Sequence, residues 1–473
     1  MMNKSLFVFI SVLTLTLSGC GSSEDNSPSL DSASPAAPTF KLKPESVTQE
    51  AFAKFEFVAD DAVNFECQLD GGHVTDCSSP LFLYPLSPQE HQLFVWSLDI
   101  NGKRSEVAIA QWRVSSVFSG GSGTGVHADL VATEVQPTLA AEDSWRGIFR
   151  INCDFAHAGY HDPIVFPGQA NAGHLHRFYG NTLVDENTDT RLLLTSGESS
   201  CQGNELNRSS YWIPALLAPS YDLQTGERML DAQGEPAWHV VPAVVGNDEE
   251  AHEIFYYSAG VDDLESIQTI PLGLKMVAGN HMAQPGNEQD SAVVRWHCQS
   301  WESTDAGNPR WSTGIPECRE PDRLRMDIFF PSCWNGVDLD SYDHKSHLAY
   351  PINTGGPQGS VCPASHPVPI IRVSFHYAFG VKPEVSDPET NSSRGWRLAS
   401  DRYEVTPFTP GGMSLHGDWF NAWHPEVLET VLKECIQQRL DCHDGNLANG
   451  FRLSGTRPGT QSEAAVINMG LGY

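Results

Sequence analysis

The chain has 473 residues and a formal net charge of −30 at neutral pH. This length is enough for more than one folded domain. Proteins bind nucleic acid and anionic lipid through positively charged surfaces. The composition therefore excludes nucleic acid as a partner, and it excludes binding to anionic lipid through overall electrostatic attraction. The charge also disfavours a strongly anionic polysaccharide, unless a local patch of arginine and lysine overrides it.

The N-terminus has the pattern of an export signal. In MMNKSLFVFISVLTLTLSGC, the positive Lys4 precedes an apolar run over residues 6–17, and we predict a signal peptide over residues 1–19. The ending Leu-Ser-Gly-Cys resembles the lipobox of bacterial lipoproteins, which predicts Cys20 as the lipid anchor. Because Gly21 rather than an aspartate follows, the resemblance implies a bacterial outer membrane lipoprotein that faces the periplasm or the cell surface.

Two segments are predicted to lack a core of their own. Residues 20–38 are rich in serine, proline and alanine, and we predict a disordered tether. Residues 116–127 include SGGSGTG and are predicted to be a Gly/Ser linker. No later stretch approaches the roughly 18 apolar residues of a spanning helix. We therefore expect membrane contact through the lipid anchor only.

The cysteines indicate an oxidising compartment. Eleven cysteines become ten once Cys20 carries the lipid, and disulfides persist outside the cytoplasm. Closeness in sequence favours the pairs Cys67 and Cys77, Cys298 and Cys318, Cys333 and Cys362, Cys435 and Cys442, and, by remainder, Cys153 and Cys201. Sequence alone leaves this connectivity open.

Residues 39–115 are predicted to form a small β domain. Apolar residues alternate in AFAKFEFVAD and HQLFVWSLDI, between turn signals such as Asn101-Gly102. The stretch from FECQLDGG to NGKRSE resembles the immunoglobulin-like repeats of secreted bacterial proteins. The resemblance implies an immunoglobulin-like β-sandwich with a local disulfide between Cys67 and Cys77, acting as a spacer.

Residues 128–473 are predicted to form one larger β-sandwich-like domain with long loops. Its apolar and aromatic runs are short, as in HLHRFYGNTLV, AVVRWHCQS and VPIIRVSFHYAFG, and clusters of glycine, proline and asparagine separate them. HPEVLETVLKECIQQRLDC predicts a C-terminal helix, with Pro425 near a first-turn position and the apolar residues on one stripe. The predicted fold class is mainly β.

Two histidines one residue apart form the first candidate site. In FPGQANAGHLHRFYGN, His174 and His176 would share one face of a strand, because successive side chains alternate. Such a pair can hold one divalent metal ion, or act as an acid and a base across a ligand. The other interpretation is a pair of histidines that are hydrogen-bonded to loop backbone.

The second candidate cluster is DLDSYDHKSHLAYP, which holds Asp343, His344 and His347. If this stretch is helical, Asp343 and His347 stand four residues apart on one face, and the carboxylate orients the imidazole. If it is a loop, the spacing has no such meaning.

The third candidate cluster is MSLHGDWFNAW. His416 and Asp418 alternate onto one strand face, and Gly417 between them allows a close backbone approach. A histidine and an aspartate suit acid and base chemistry. Trp419 suits stacking on a sugar ring if it is exposed, and packing if it lies in the core.

Six motifs in order resemble the domain-of-unknown-function family numbered 1996: DPIVFPGQANAGHLHRFYGN, NRSSYWIPALL, GLKMVAGN, FPSCWNGVDLDSYDHKSHLAYP, VCPASHPVPI and SLHGDWFNAW. The resemblance covers residues 150–435 and implies a secreted, polysaccharide-associated setting without naming a reaction. HRFYGN after the two histidines and the extra Cys153 depart from the family pattern. The matching motifs contain the three clusters, which favours these clusters as a site.

These observations support an exported lipoprotein that acts on or binds extracellular polysaccharide or cell-wall glycan. As a glycan hydrolase or lyase, it would take its catalytic groups from His174, His176, Asp343, His344, His347, His416 and Asp418. The candidate substrate-binding residues are Arg177, Lys345, His366 and Trp419. The alternative is a non-catalytic surface protein that binds glycan or a metal ion, with His174 and His176 as candidate ligands of a divalent metal.

Overall fold

A computed structural model describes residues 34–119, 125–140, 146–244, 254–300, 309–354 and 359–466. The predicted signal peptide, Cys20, most of the predicted tether and residues 120–124 of the predicted linker lie outside the described residues. Within the described ranges, no helix is both long enough and apolar enough to cross a membrane.

The N-terminal part is a small β-sandwich. Its strands are β1 (Thr39–Leu42), β2 (Val47–Thr48), β3 (Ala53–Val58), β4 (Asn64–Leu69), β5 (Thr75–Cys77), β6 (Leu81–Leu83), β7 (Glu90–Leu98) and β8 (Ala108–Val114). They form two sheets, with the strand orders β1-β3-β6 and β2-β8-β7-β4-β5. Alternate side chains such as Phe55, Phe57 and Val95 point inward and form a separate apolar core. The immunoglobulin-like character of this unit stays a prediction.

The rest of the chain is also built from short strands. They are β9 (Leu130–Ala132), β10 (Thr138–Leu139), β11 (Ile148–Ile151), β12 (Phe155–Gly159), β13 (His176–Gly180), β14 (Ser210–Pro214), β15 (Leu216–Pro219), β16 (Trp238–Val240), β17 (Phe255–Ser258), β18 (Lys275–Gly279), β19 (Val294–Cys298), β20 (Arg323–Phe329), β21 (Cys333–Trp334), β22 (Leu348–Ala349), β23 (Ile352–Asn353), β24 (Ser360–Val361), β25 (Val368–Pro369), β26 (Arg372–Gly380), β27 (Arg397–Leu398), β28 (His416–Phe420), β29 (Leu440–Cys442) and β30 (Phe451–Leu453). The prediction of a mainly β chain is confirmed.

Two large sheets pack face to face. One has seven strands in the order β10-β29-β11-β17-β26-β20-β19, and the other has five in the order β12-β13-β14-β28-β18. Tyr211 of the five-stranded sheet meets Phe255 of the seven-stranded sheet with ring centroids 4.1 Å apart. The Tyr211 and Tyr257 hydroxyl oxygens lie 2.6 Å apart between the sheets. The inner faces of both sheets share one continuous apolar core.

The outer face of the five-stranded sheet is covered as well. Helix α1 (Thr190–Thr195) begins after Asp189, whose Oδ1 accepts a hydrogen bond from the Leu192 N–H at 2.8 Å. Leu193 and Leu194 of this helix pack with Phe178 and Trp212 of the sheet in a second apolar cluster. Polar side chains on this face of the sheet are therefore held away from bulk water.

The C-terminal helix is shorter and less regular than the sequence predicts. Helix α2 (Pro425–Thr430) continues as a π-helical segment over Val431–Ile436, and residues 440–442 of the predicted helix form β29. Arg439 ends the helical segment with a left-handed φ of 58°. A short helix α3 (Glu463–Val466) and 3₁₀ turns at Asn204–Leu206 and Leu264–Ser266 complete the helices of the described chain.

The five disulfides follow the pairing that closeness in sequence favoured. Cys67–Cys77, Cys153–Cys201, Cys298–Cys318, Cys333–Cys362 and Cys435–Cys442 are all bonded. The last of these ties the π-helical segment to β29, which explains why the helix stops before Cys442.

Gly417→Val is expected to destabilise the larger sandwich. A Cβ at Gly417 would lie 3.0 Å from Ile328 Cδ1 and 3.2 Å from the Phe375 ring, so valine overfills the space between the sheets. Overpacking of this kind costs about 1–3 kcal/mol, and urea unfolding followed by tryptophan fluorescence measures it. Gly455→Val is the matched control, because a Cβ there meets nothing described within 4 Å. Equal stabilities of the two variants would contradict the packing.

Candidate metal centre

Two strands of the five-stranded sheet, separated by one strand, direct polar side chains to one place on its covered outer face. His176 begins β13, and His416 and Asp418 alternate onto the same face of β28, one strand beyond β14. Register explains their common direction, since Trp212 of β14 pairs with both Phe178 and Asp418. Paired residues of antiparallel strands point to the same side of a sheet.

His174 reaches the same place from the chain just before β13. The Gly173 N–H donates to the Tyr160 carbonyl at 2.8 Å, and the Leu175 carbonyl accepts from the Ala215 N–H at 2.9 Å. These bonds hold the backbone on both sides of His174. Its ring centroid lies 4.2 Å from that of His176 and 5.0 Å from that of His416.

The three imidazoles have the arrangement of a ligand set. One ring nitrogen from each of His174, His176 and His416 lies within 4.8 Å of the others. His176 Nδ1 donates to the His161 carbonyl at 3.1 Å and His416 Nδ1 donates to the Ser414 carbonyl at 2.9 Å. A carbonyl can only accept, so both rings carry their proton on Nδ1 and present a lone pair on Nε2. Metal-binding histidines are oriented in this way.

Two carboxylates complete the polar cluster. Asp162 lies in the loop before His174, where its Oδ1 accepts from the Ile164 and Val165 N–H groups at 2.9 Å each. Oxygens of Asp162 and Asp418 lie within 4.8 Å of each other and of a His176 nitrogen. His416 Nε2 and Asp418 Oδ2 are 3.9 Å apart. We call His174, His176, His416, Asp162 and Asp418 the His/Asp cluster.

Several nitrogen and oxygen atoms of the His/Asp cluster that could bind a metal ion lack a hydrogen-bond partner in the described part of the chain. His174 Nε2, His176 Nε2 and both carboxylate oxygens of Asp418 are buried and have no hydrogen-bond partner in the described part of the chain. A buried polar atom left unsatisfied costs about 1–3 kcal/mol, and more when it is charged. Four such atoms converging on one point are therefore unusual for a merely structural network.

Burial sets the protonation of the cluster. It lowers the pKa of His176 to about 3 and holds the pKa values of His174 and His416 well below 6.5, with the neighbouring histidines adding to the effect. Burial, together with the adjacent Asp162, raises the pKa of Asp418 well above 3.8. The imidazoles are thus neutral at pH 7, which is the form that binds a metal ion.

A cavity of about 280 Å³ lies beside β18, the edge strand that pairs with β28. Val277 and Gly279 of β18 line it, and they pair with Asp418 and His416 of β28. Lys345 also lines the cavity, and its ammonium group donates to the Gly279 carbonyl. None of the five residues of the His/Asp cluster is among those that line this cavity.

The comparison with family models decides the family. The model described as "Domain of unknown function (DUF1996)" matches residues 162–423, more than half of the chain. The chain belongs to this family. The match begins at Asp162 and contains the whole His/Asp cluster. The part of the predicted resemblance outside residues 162–423 is not covered by the family model.

Two further comparisons add little for this DUF1996 member. A search of curated proteins finds no match. One solved structure, titled "Structural basis for the promiscuous specificity of the carbohydrate-binding modules from the beta-sandwich super family", aligns over 82% of this chain and 97% of its own, with 9% identity and a TM-score of 0.16. At that TM-score, the alignment carries no argument about function.

The stretch with Asp343, His344 and His347 is a loop and not a helix. Asp343 Oδ1 accepts from the Ser341 hydroxyl and from two loop N–H groups, and these bonds hold its pKa well below its ordinary value. The His347 ring nitrogens lie 2.9 Å from Ser341 Oγ and 2.8 Å from the Lys275 carbonyl. His344 Nδ1 lies 2.9 Å from Asp340. These three side chains shape the loop that carries Lys345, outside the His/Asp cluster.

The remaining predicted residues lie away from the cluster. His366 contacts Ser365 and the Ser346 carbonyl on the same loop system. Arg177 points to the inner face of the sheet and pairs with Glu463, because it alternates with His176. Trp419 is fully buried in the core for the same reason, since it alternates with Asp418. Neither Arg177 nor Trp419 offers a surface to a ligand.

The structure adds two residues to the candidate set. Asp162, which the sequence places in the loop before the histidine pair, supplies the second acid. His281, in the turn after β18, has its ring centroid 6.0 Å from that of His416. The sequence His161-Asp162-Pro163 is a turn signal just before the histidine pair, which indicates Asp162 as a nearby acid. Nothing near His281 in the sequence marks that residue.

Asp418→Asn is expected to stabilise the metal-free protein at pH 7. Folding raises the pKa of this carboxyl above its ordinary value of 3.8. The group therefore destabilises the folded state at any pH above 3.8, and this cost grows as the pH rises toward the folded-state pKa. Removing the ionisable group should add about 1–3 kcal/mol at pH 7 and much less at pH 4. Urea unfolding in a chelator at both pH values measures the difference. A gain that does not depend on pH would contradict the buried, unpaired acid.

Proposed function

We propose that this DUF1996 protein is an exported metalloprotein that acts on extracellular polysaccharide, with a divalent transition-metal ion held by His174, His176 and His416. The observation that carries the proposal is the convergence of three neutral imidazole nitrogens within 4.8 Å, two of them oriented by backbone carbonyls. Imidazole ligands suit zinc, copper, iron and nickel.

A metal ion accounts for what protein partners leave unexplained. It would satisfy the buried Nε2 atoms of His174 and His176 together, and its charge would favour the ionised form of Asp418. Metal binding requires neutral imidazoles, and the low pKa values of the three histidines supply them. A network without a cation would leave each of these groups uncompensated.

The ligand count favours a reactive centre over a structural one. Catalytic zinc sites use three protein ligands and leave one position for water or substrate, whereas structural sites are closed by four protein ligands. Three histidines match the first pattern. Asp418 and Asp162 lie within 4.8 Å of a His176 nitrogen, where they would serve as proton acceptors.

The chemistry that fits is hydrolysis of an acyl substituent on the glycan. An ion held by His174, His176 and His416 would supply Lewis-acid chemistry for this reaction, acting on the carbonyl group and on the attacking water. The water oxygen bonds to the carbonyl carbon, and its proton passes to Asp418. The bond to the sugar oxygen or nitrogen then breaks, and the same proton goes to that leaving atom. Lys345 lies at the cavity wall, where it would neutralise negative charge on the substrate.

Metal analysis tests the centre directly. The full chain, purified without a histidine tag, should carry about one equivalent of a transition metal. After EDTA treatment it should bind Zn²⁺ by calorimetry, and His176→Ala or His416→Ala should weaken that binding by more than about 10-fold, because each removes a ligand. His344→Ala is the matched control and should bind normally. A chain that binds no divalent ion, or binds it equally well in His176→Ala, would rule out the centre.

A polysaccharide panel tests the reaction. Metal-loaded protein and EDTA-treated protein are compared on acetylated and deacetylated glycans, with acetate, reducing ends and the absorbance of unsaturated sugars as readouts. Metal-dependent acetate release that Asp418→Asn abolishes is the expected result. Reducing ends or unsaturated products would indicate a glycosidase or a lyase instead. Glycan binding with no product from either form would favour the non-catalytic alternative.

A further inference from the structure

The outer face of the seven-stranded sheet is positively charged, although the chain as a whole carries −30. Outward positions on β11, β19, β20 and β26 alternate with core residues; those that hold arginine are half-buried, whereas the outward Asp327 and Ser374 are buried. The arginines at these positions are Arg150, Arg295, Arg323, Arg325 and Arg372. We call these five side chains the arginine face.

Acidic partners account for only part of this charge. Arg150 pairs with Asp441, and Arg295 Nε lies 2.9 Å from Asp327 Oδ2. Asp327 also lies 2.9 Å from His376 Nδ1. Burial acts to raise the pKa of Asp327, but His376 and Arg295 outweigh it and hold that pKa well below its ordinary value. Asp327 therefore already has Arg295 and His376 as partners.

Arg372 and Arg325 have no carboxylate partner among the residues that the structure describes. Arg372 donates from Nε and Nη2 to the neutral Ser258 hydroxyl at 3.2 and 3.0 Å. Burial, together with Arg146 and Arg295, lowers the pKa of Arg372 to about 10. Arg325 forms no hydrogen bond or ion pair with the described residues; burial lowers its pKa, and the nearby Asp327 offsets that effect only in part. Partly buried guanidinium groups without a counter-ion are costly, and an anion would remove that cost.

Aromatic rings hold the guanidinium groups of the arginine face in place. Arg150 stands 5.3 Å from the centroid of the Tyr256 ring. Arg295 and Arg372 stand 4.7 Å and 5.7 Å from the centroid of the Phe329 ring. Stacking limits side-chain freedom, so less entropy is lost when an anion binds.

The arginine face is extended rather than a single pocket. It runs from β11 to β19 across the order β11-β17-β26-β20-β19. Adjacent strands are about 4.8 Å apart, so four intervals span about 19 Å. A ligand that meets several of these arginines must itself be extended and carry more than one negative group.

We propose that the arginine face binds a polyuronate chain, whose carboxylates pair with Arg325 and Arg372. Guanidinium groups recognise carboxylates through paired hydrogen bonds. The need for an anion rests on the arginines alone, whereas the choice of a saccharide rests on the proposed function. The face lies on the opposite side of the sandwich from the His/Asp cluster, so it would hold a polysaccharide at a second point.

Binding to immobilised polygalacturonate tests the arginine face. The full chain should bind polygalacturonate and not uncharged dextran, with an affinity that falls as salt increases. Arg325→Gln should reduce the affinity at least about 10-fold, the loss of one charged hydrogen-bonding partner, and Arg325→Gln with Arg372→Gln should reduce it further. Arg113→Gln, on the small N-terminal sandwich, is the matched control and should bind normally. Thermal melting verifies that each variant is folded.

Three results would overturn the proposal. They are unchanged binding in the folded Arg325→Gln variant, equal binding to dextran, and displacement of polygalacturonate by millimolar inorganic phosphate, which would indicate a site for simple anions. His176→Ala separates this proposal from the metal centre. It should lose metal and keep its affinity for polygalacturonate, so either proposal can fail while the other stands.

Discussion

The burial of both faces of the five-stranded sheet is the constraint on which the candidate site depends. Its inner face packs on the seven-stranded sheet, and α1 with its flanking loops covers its outer face. Any polar side chain on that outer face must find a partner or lose hydration energy without compensation. The His/Asp cluster lies on this face, and two of its imidazole nitrogens and two of its carboxylate oxygens have no hydrogen-bond partner within the described chain. Buried polar groups without a partner are uncommon, and functional sites are where proteins tend to carry them.

The cover over the cluster also orders it. Backbone bonds to Gly173 and Leu175 fix His174, and backbone carbonyls orient His176 and His416. No ligand is needed to bring these rings together, so the binding of an ion would not have to be offset by the ordering of a loop. The adjacent apolar cluster of Phe178, Trp212 and Leu193 lowers the local dielectric, which strengthens each electrostatic interaction at the centre.

The sequence predicted those parts of the fold and site that depend on local periodicity. Alternation along a strand placed His416 with Asp418, and the cysteine spacing favoured the five disulfides that form. The same alternation also implies that Arg177 and Trp419 face the core, because each stands one position from a cluster residue. Local patterns did not predict which loop residues contact the cluster. Asp162 and His281 are brought to it by the conformations of their loops, which local sequence periodicity does not determine.

The loop over residues 340–347 shows why spacing alone misleads. Asp343 and His347 are four residues apart, but the chain turns through hydrogen bonds to Asp343 instead of forming a helix, and His344 adopts a left-handed φ of 57°. The loop contributes Lys345, the one member of this stretch that lines the cavity. Asp343 and His347 make hydrogen bonds that shape the loop, and this shape places Lys345 where its ammonium group donates to the Gly279 carbonyl.

The two proposed sites lie on opposite outer faces of the sandwich, and the two packed sheets between them form a common scaffold. Sheets in a sandwich pack about 10 Å apart, so one sugar unit cannot contact both the His/Asp cluster and the arginine face. β26 nevertheless contacts both regions. Its residues Arg372 and His376 point to the outer face of the seven-stranded sheet. Phe375, which points inward, packs against Gly417, the residue between His416 and Asp418. A long polymer could be held by charge on one side while a substituent farther along the chain enters the cavity on the other. Length and charge, and not the shape of a single sugar, would then select the substrate.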